Sequence, residues 1–307
     1  MHKNRSMKKS IVILILLLAV QAYGQQDPQY TQYMYNMNVI NPAYAGSRET
    51  LSLGLLYRTQ WVGVDDAPRT FTAFAHMPVG EKVGLGVSLI ADQIGPVKET
   101  NAYADFSYTL RLGGEHKLAF GIKAGATFHD IGTAGVFVPD PDDPFFSQNV
   151  NEVTPNIGAG AFYYTDNYYL AVSVPNILNS VHLDANGFEL GSETSHYFVT
   201  GGYVFQLSEN TKLKPSFLVK SAFSAPTSFD LNLNALFYEK FEIGASYRLD
   251  DSFSGMVNFL VTPDLRIGYA YDSVTSEIQN VGPASHEFFL LWDLNFPKRV
   301  SRSPRYF

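Results

Sequence analysis

The chain has 307 residues, no cysteine, 14% aromatic and 17% charged residues, and a formal charge of −7. Absent cysteine excludes disulfides, a thiolate nucleophile and a lipid-modified cysteine. The acidic balance argues against nucleic acid as a partner, and the charged share is below the about one quarter usual for soluble domains.

The chain opens on a leader. Lys8 and Lys9 precede an apolar run over residues 11–20. That run is shorter than the about 20 residues a membrane helix needs. Ala22-Tyr23-Gly24 supplies small residues for cleavage before Gln25, so residues 1–24 read as a signal peptide, with an uncleaved anchor as the alternative. Lys3, Arg5, Lys8 and Lys9 leave with it and no acid does, so −7 becomes −11. Beyond the leader no run is long and apolar enough for a membrane helix, and the remaining way to live in a membrane is a closed β-barrel.

Residues 27–46, DPQYTQYMYNMNVINPAYAG, predict the one helical segment. Asp27 suits an N-cap and Pro28 the first helical position. Tyr30, Tyr33, Met34 and Met37 share one face at helical spacing. Asn41-Pro42 stops the helix, because the residue before proline disfavours the α region. The Tyr, Asn and Gln content suits a polar but partly buried lining. An ordinary capping helix and a specific docking element both fit it.

From Thr50 onward the period is two. Leu51, Leu53, Leu55 and Tyr57 alternate with Ser52, Gly54 and Arg58. Further strands are expected near 69–79, 83–89, 101–111, 117–129, 153–164, 168–175, 195–207, 211–220, 227–238, 241–249, 253–261, 265–272 and 284–296. These make fourteen, an even number as single-chain outer-membrane barrels have. Connections near Gly80, Gly113, Thr165, Ser208, Glu239 and Thr262 are short. Those near Trp61, Gln93, Pro141, Leu183, Ala222 and Val274 are mostly longer, with Asp250–Ser252 the exception. Short periplasmic turns and long outer loops are the expected asymmetry. Fourteen strands enclose a wide lumen, so rows of Leu, Phe, Tyr and Val are expected to face lipid. Asp105, Arg111, Lys123, Asp230, Glu242, Arg248 and Arg266 are then expected to face the lumen. A soluble two-sheet sandwich is the alternative.

Little in the sequence signals catalysis. The seven histidines form no zinc spacing, and His76, His129 and His196 are expected on lumen or interface positions. Ser285-His286-Glu287 invites a hydrolase reading, but neighbours on a strand point to opposite faces. No Gly-x-Ser-x-Gly elbow occurs. Asp140, Asp142 and Asp143 lie in a loop that Pro141 and Pro144 interrupt, which suits a solvated acidic rim better than a calcium loop. Gly84, Gly86, Gly158 and Gly160 lie in strands, where glycine admits a close neighbour or a lumen element. No cofactor or metal is expected. Trp61, with Arg58 and Gln60, is a candidate partner-binding anchor; an aromatic-belt position fits Trp61 equally.

Several stretches carry a resemblance. Residues 27–46, with Tyr30, Tyr33, Asn41, Pro42, Tyr44 and Gly46, resemble the opening of the PorP/SprF family, membrane proteins of the Bacteroidetes type IX secretion system. The likeness continues at Tyr57-Arg58-Thr59-Gln60-Trp61-Val62-Gly63, Ala67-Pro68, Ser285-His286-Glu287 and Ser303-Pro304-Arg305-Tyr306-Phe307. The resemblance implies a non-enzymatic accessory of secretion and gliding. Its partners would be secreted proteins with a C-terminal sorting domain, such as adhesins, and the periplasmic ring and peptidoglycan-linked components, with outer-membrane lipid around it.

The resulting map is a signal peptide at 1–24, a helical plug segment in or under the periplasmic mouth at 25–49, a fourteen-stranded antiparallel outer-membrane β-barrel at 50–296 and a periplasmic tail at 297–307. The rivals are a passive diffusion or fatty-acid channel and an outer-membrane hydrolase.

Overall fold

The computed structural model describes residues 29–132, 149–178, 181–185, 188–192, 194–222, 225–294 and 306. The first strands are β1 (Leu51–Thr59), β2 (Arg69–Val79), β3 (Val83–Ile94), β4 (Val97–Gly113), β5 (His116–Ile131), β6 (Val150–Tyr164) and β7 (Tyr168–Val174). A separate hairpin follows, β8 (Val181–Ala185) and β9 (Phe188–Ser192). The wall resumes with β10 (Tyr197–Tyr203), β11 (Phe205–Ser208), β12 (Thr211–Ser221), β13 (Ser228–Phe237), β14 (Phe241–Arg248), β15 (Ser252–Leu260), β16 (Leu265–Val274) and β17 (Ala284–Leu294).

Each wall strand pairs antiparallel with its neighbours in the chain. β1 also pairs with β17, and β10 with both β7 and β12, so the sheet closes. β10 and β11 are two halves of one strand, interrupted at Val204, whose N–H donates to Asn167 O (2.7 Å). The wall is thus a closed barrel of fourteen strands, as the alternation predicts. Closure excludes the two-sheet sandwich.

The facing follows the two-residue period. Leu55, Leu89, Phe106, Ile122, Leu231, Ile243 and Leu290 lie exposed on the outside, while Asp105, Lys123, Asp230, Glu242 and Arg248 are buried inside. Arg111 departs from this: its side chain is 61% exposed beyond the lumen, 3.5 Å from Glu81. The lumen is also less polar than the sequence suggests. Leu56, Phe74, Tyr103, Phe162, Phe198 and Phe289 point inward and are buried.

Three elements differ from expectation. β3 and β4 extend to a two-residue turn at Gly95-Pro96, so the connection near Gln93 is short. The loop over 176–194 contains the β8–β9 hairpin, paired at Asp184↔Glu189. The N-terminal segment is not one helix but three single turns: 3-10 turns at Tyr33–Tyr35 and Pro42–Tyr44 around one α turn at Met37–Ile40. Asp27 and Pro28, its expected cap, lie outside the described residues. One turn of helix is costly to nucleate in isolation. Here the barrel surrounds the segment, so every face of it is buried and no amphipathic stripe is required.

Candidate functional site

The segment from Gln29 to Arg48 threads the whole lumen, from the mouth bearing most of the longer loops to the mouth of the short turns. At the long-loop mouth Arg248 donates to the Gln29 side chain (3.0 Å) and to Tyr30 O (3.4 Å). Glu287 accepts the backbone N–H groups of Thr31 (2.9 Å) and Gln32 (2.7 Å). The Thr31 hydroxyl donates to Asp272 (2.8 Å), and Arg58 donates to the same hydroxyl (3.0 Å). Arg58 also lies 2.7 Å from Asp272 and 3.1 Å from Glu287, so one guanidinium and two carboxylates clasp the segment.

Deeper in, Asn232 donates to the Tyr33 hydroxyl (3.1 Å). Tyr35 stacks on Phe289 at 4.5 Å and donates to Glu242. Lys123 donates to Val39 O (2.8 Å) and Asn38 O (3.3 Å), and its partner Asp105 stands 3.5 Å away. Ser173 donates to Ile40 O (2.6 Å). The Asn41 side chain accepts Ala43 N–H (2.9 Å) and donates to Ala161 O (3.1 Å), which caps the turn that Pro42 begins. Tyr44 packs edge-on to His76 and Phe162. Gly46 N–H donates to His76 Nδ1 (3.2 Å).

These contacts answer a backbone requirement. Irregular chain at membrane depth is tolerated only where protein satisfies its N–H and C=O groups. Wall side chains do that here, in place of helical hydrogen bonds. Several buried charges are likewise paired, Lys123 with Asp105 and Arg248 with Asp230 among them, since an unpaired one costs several kcal/mol. At the short-turn mouth Arg48 and Asp293 meet at 2.6 Å.

Three wall glycines make room for the segment, and a side chain at one of them, Gly160, would overlap Asn41 Oδ1. A side chain at Gly84 would overlap Ala45 O, and one at Gly121 would overlap the Pro42–Ala43 peptide. Gly84 thus admits a lumen element as its place in a strand suggests.

The sequence-predicted residues fall into two groups. Tyr30, Tyr33, Asn41, Pro42 and Tyr44 are buried in the lumen and Gly46 half-buried. Arg58, Gln60 and Trp61 line one cavity of about 370 Å³ at the long-loop mouth, with Gln29, Asp92 and Asp251. Arg58 is not a rim residue; it forms the buried floor, while Trp61 leans over Gly282 and its backbone N–H donates to Ser285 Oγ (3.2 Å). Asp140, Asp142 and Asp143 lie outside the described residues. Ser285 and Glu287 face inward, whereas His286 faces outward, where Tyr269 Oη stands 2.7 Å from its Nδ1.

Sequence reading sets Asp272 and Asp293 on the polar face of their strands but pairs neither with its arginine, Arg58 and Arg48, and it misses the inward aromatic layer. One signal existed: inward glycines stand opposite inward aromatics, Gly54↔Phe74 and Gly268↔Phe289, and each ring covers its glycine. Tyr306, from the expected periplasmic tail, sits inside the short-turn mouth against Lys214.

The family model described as type IX secretion system membrane protein PorP/SprF matches residues 22–292. No curated protein matches the chain. Among solved structures, the Ralstonia pickettii toluene transporter TbuX is 13% identical, with 83% of this chain and 92% of that one covered and a TM-score of 0.53. The Acinetobacter baumannii outer membrane protein Omp33 is 10% identical, with 80% and 98% covered and a TM-score of 0.49. The likeness to TbuX is one of fold.

Proposed function

The chain belongs to the PorP/SprF family of type IX secretion system membrane proteins, and from that premise we propose that it is a plugged barrel holding secreted proteins at its long-loop mouth, without catalysis. Membership makes it a membrane component of type IX secretion, and the barrel sits in the outer membrane. The filled lumen carries the proposal: residues 30–45 are buried within the wall and occupy the path a diffusing solute would take. That weighs against the channel reading, and against carrying over the transport named for TbuX. The separation of Ser285 and Glu287 from His286 weighs against the hydrolase.

With the lipid face committed and the lumen filled, partners have the two mouths. Long loops lie outside in outer-membrane barrels, and binding residues gather on loops held by a rigid scaffold. Trp61 is an aromatic anchor, and Asp92 and Asp251 beside it give the mouth acidic character. A secreted protein with a C-terminal sorting domain and a basic patch fits that mouth; periplasmic ring and peptidoglycan-linked components fit the other. The test is Trp61→Ala, or trimming 140–144. Cargo should escape to the medium while barrel abundance stays normal. Cargo trapped in the cell would move the role to the periplasmic mouth, and cargo kept at the surface by both variants defeats the proposal.

A further inference from the structure

Lys214, near the start of β12 at the short-turn mouth, is fully buried. Its ammonium donates to the backbone carbonyl of Tyr306 (3.0 Å). It lies 4.1 Å from the centroid of the Tyr306 ring and 5.4 Å from that of Tyr35. Arg266, on β16 at the same mouth, stands 6.0 Å from the Tyr35 ring, and its Nη1 is buried without a hydrogen-bond partner among the described residues. Glu242 completes the group, accepting from Tyr35, Asn234 and Asn258.

A buried ammonium needs acceptors or aromatic faces to replace its lost hydration. Neither ring at Lys214 comes from the barrel wall. Tyr35 belongs to the lumen segment and Tyr306 to the tail that follows β17. The wall and lumen segment together supply two cationic groups and one ring, and leave open a place for a second ring with a carbonyl beside it. That is the chemistry of an aromatic residue in an extended peptide.

We propose that Lys214, Arg266 and Tyr35 form a peptide-binding subsite at the short-turn mouth, filled in cis by Tyr306 and open in trans to an aromatic residue of a partner polypeptide. The subsite lies at the opposite end of the barrel from Trp61 and is independent of what the long-loop mouth holds.

The test uses full-length barrel refolded in detergent and a fluorophore-labelled peptide of the sequence 303–307, read by fluorescence anisotropy. Heat-modifiable gel migration checks that each barrel is folded. Tyr306→Ala empties the subsite and should bind the peptide at least tenfold more tightly than wild type. Tyr306→Phe keeps ring and carbonyl and should behave as wild type. Adding Lys214→Met to Tyr306→Ala should abolish binding, as should replacing tyrosine by alanine in the peptide. Equal binding by wild type and Tyr306→Ala, no binding by folded Tyr306→Ala, or binding that survives Lys214→Met overturns the proposal. If Lys214→Met fails to fold, the alanine peptide decides: binding equal to that of the tyrosine peptide is equally fatal.

Discussion

Arg58 and Glu287 stand directly opposite each other on β1 and β17, their charged ends 3.1 Å apart inside the barrel. Both also hold Thr31, from a stretch that precedes every strand. The seam that pairs the first strand with the last is therefore the one that grips the lumen segment. Arg58→Ala would leave Asp272 and Glu287 buried without their shared cation, at a cost of about 3–5 kcal/mol. Arg111→Ala, at the exposed pair with Glu81, should cost under about 1 kcal/mol. Urea unfolding from lipid vesicles measures both, and equal losses would contradict the clasp.

Leu55 lies midway along β1 on the outer face. Leu55→Arg should cost about 2–4 kcal/mol or block assembly, and Tyr238→Arg, at a short turn near the interface, about 0–1 kcal/mol. The same unfolding series, in bilayers of fixed thickness, reads the difference. Similar costs would mean that the outer face does not meet lipid as described.

Gly121→Val should loosen the segment without breaking the barrel, because its side chain would occupy the place of the Pro42–Ala43 peptide. Protease nicking between residues 29 and 48 should rise while heat-modifiable migration persists. An unchanged digestion pattern would show that the wall gives way instead.

The intact protein should conduct ions poorly in a planar bilayer. Deleting residues 29–38 removes the contacts to Glu287, Asp272 and Glu242 and should raise conductance or lower stability. Large, steady currents from the intact chain would favour a channel.

Much of the wall was legible because its code is local. A strand facing lipid on one side and a lumen on the other must alternate, so Phe241, Ile243 and Ala245 against Glu242, Gly244 and Ser246 declare their faces without reference to any partner. The N-terminal motif was legible as unusual, though not in shape. Its helical spacing presupposes one dry face and one wet face, and Tyr33, Asn36, Met37 and Asn38 are all buried.

The sequence by itself determined the strand count, the facing of most charged residues and the placement of most turns, since a period of two needs only neighbours along the chain. Only the tertiary structure decided which charges meet. Lys123 reaches the carbonyls of Asn38 and Val39, Arg48 reaches Asp293, and Tyr306 returns to Lys214, across separations the chain pattern does not encode. Barrel closure brings β1 beside β17, and burial in the lumen makes each unpaired charge or amide costly, so these groups find partners wherever the closed wall places them.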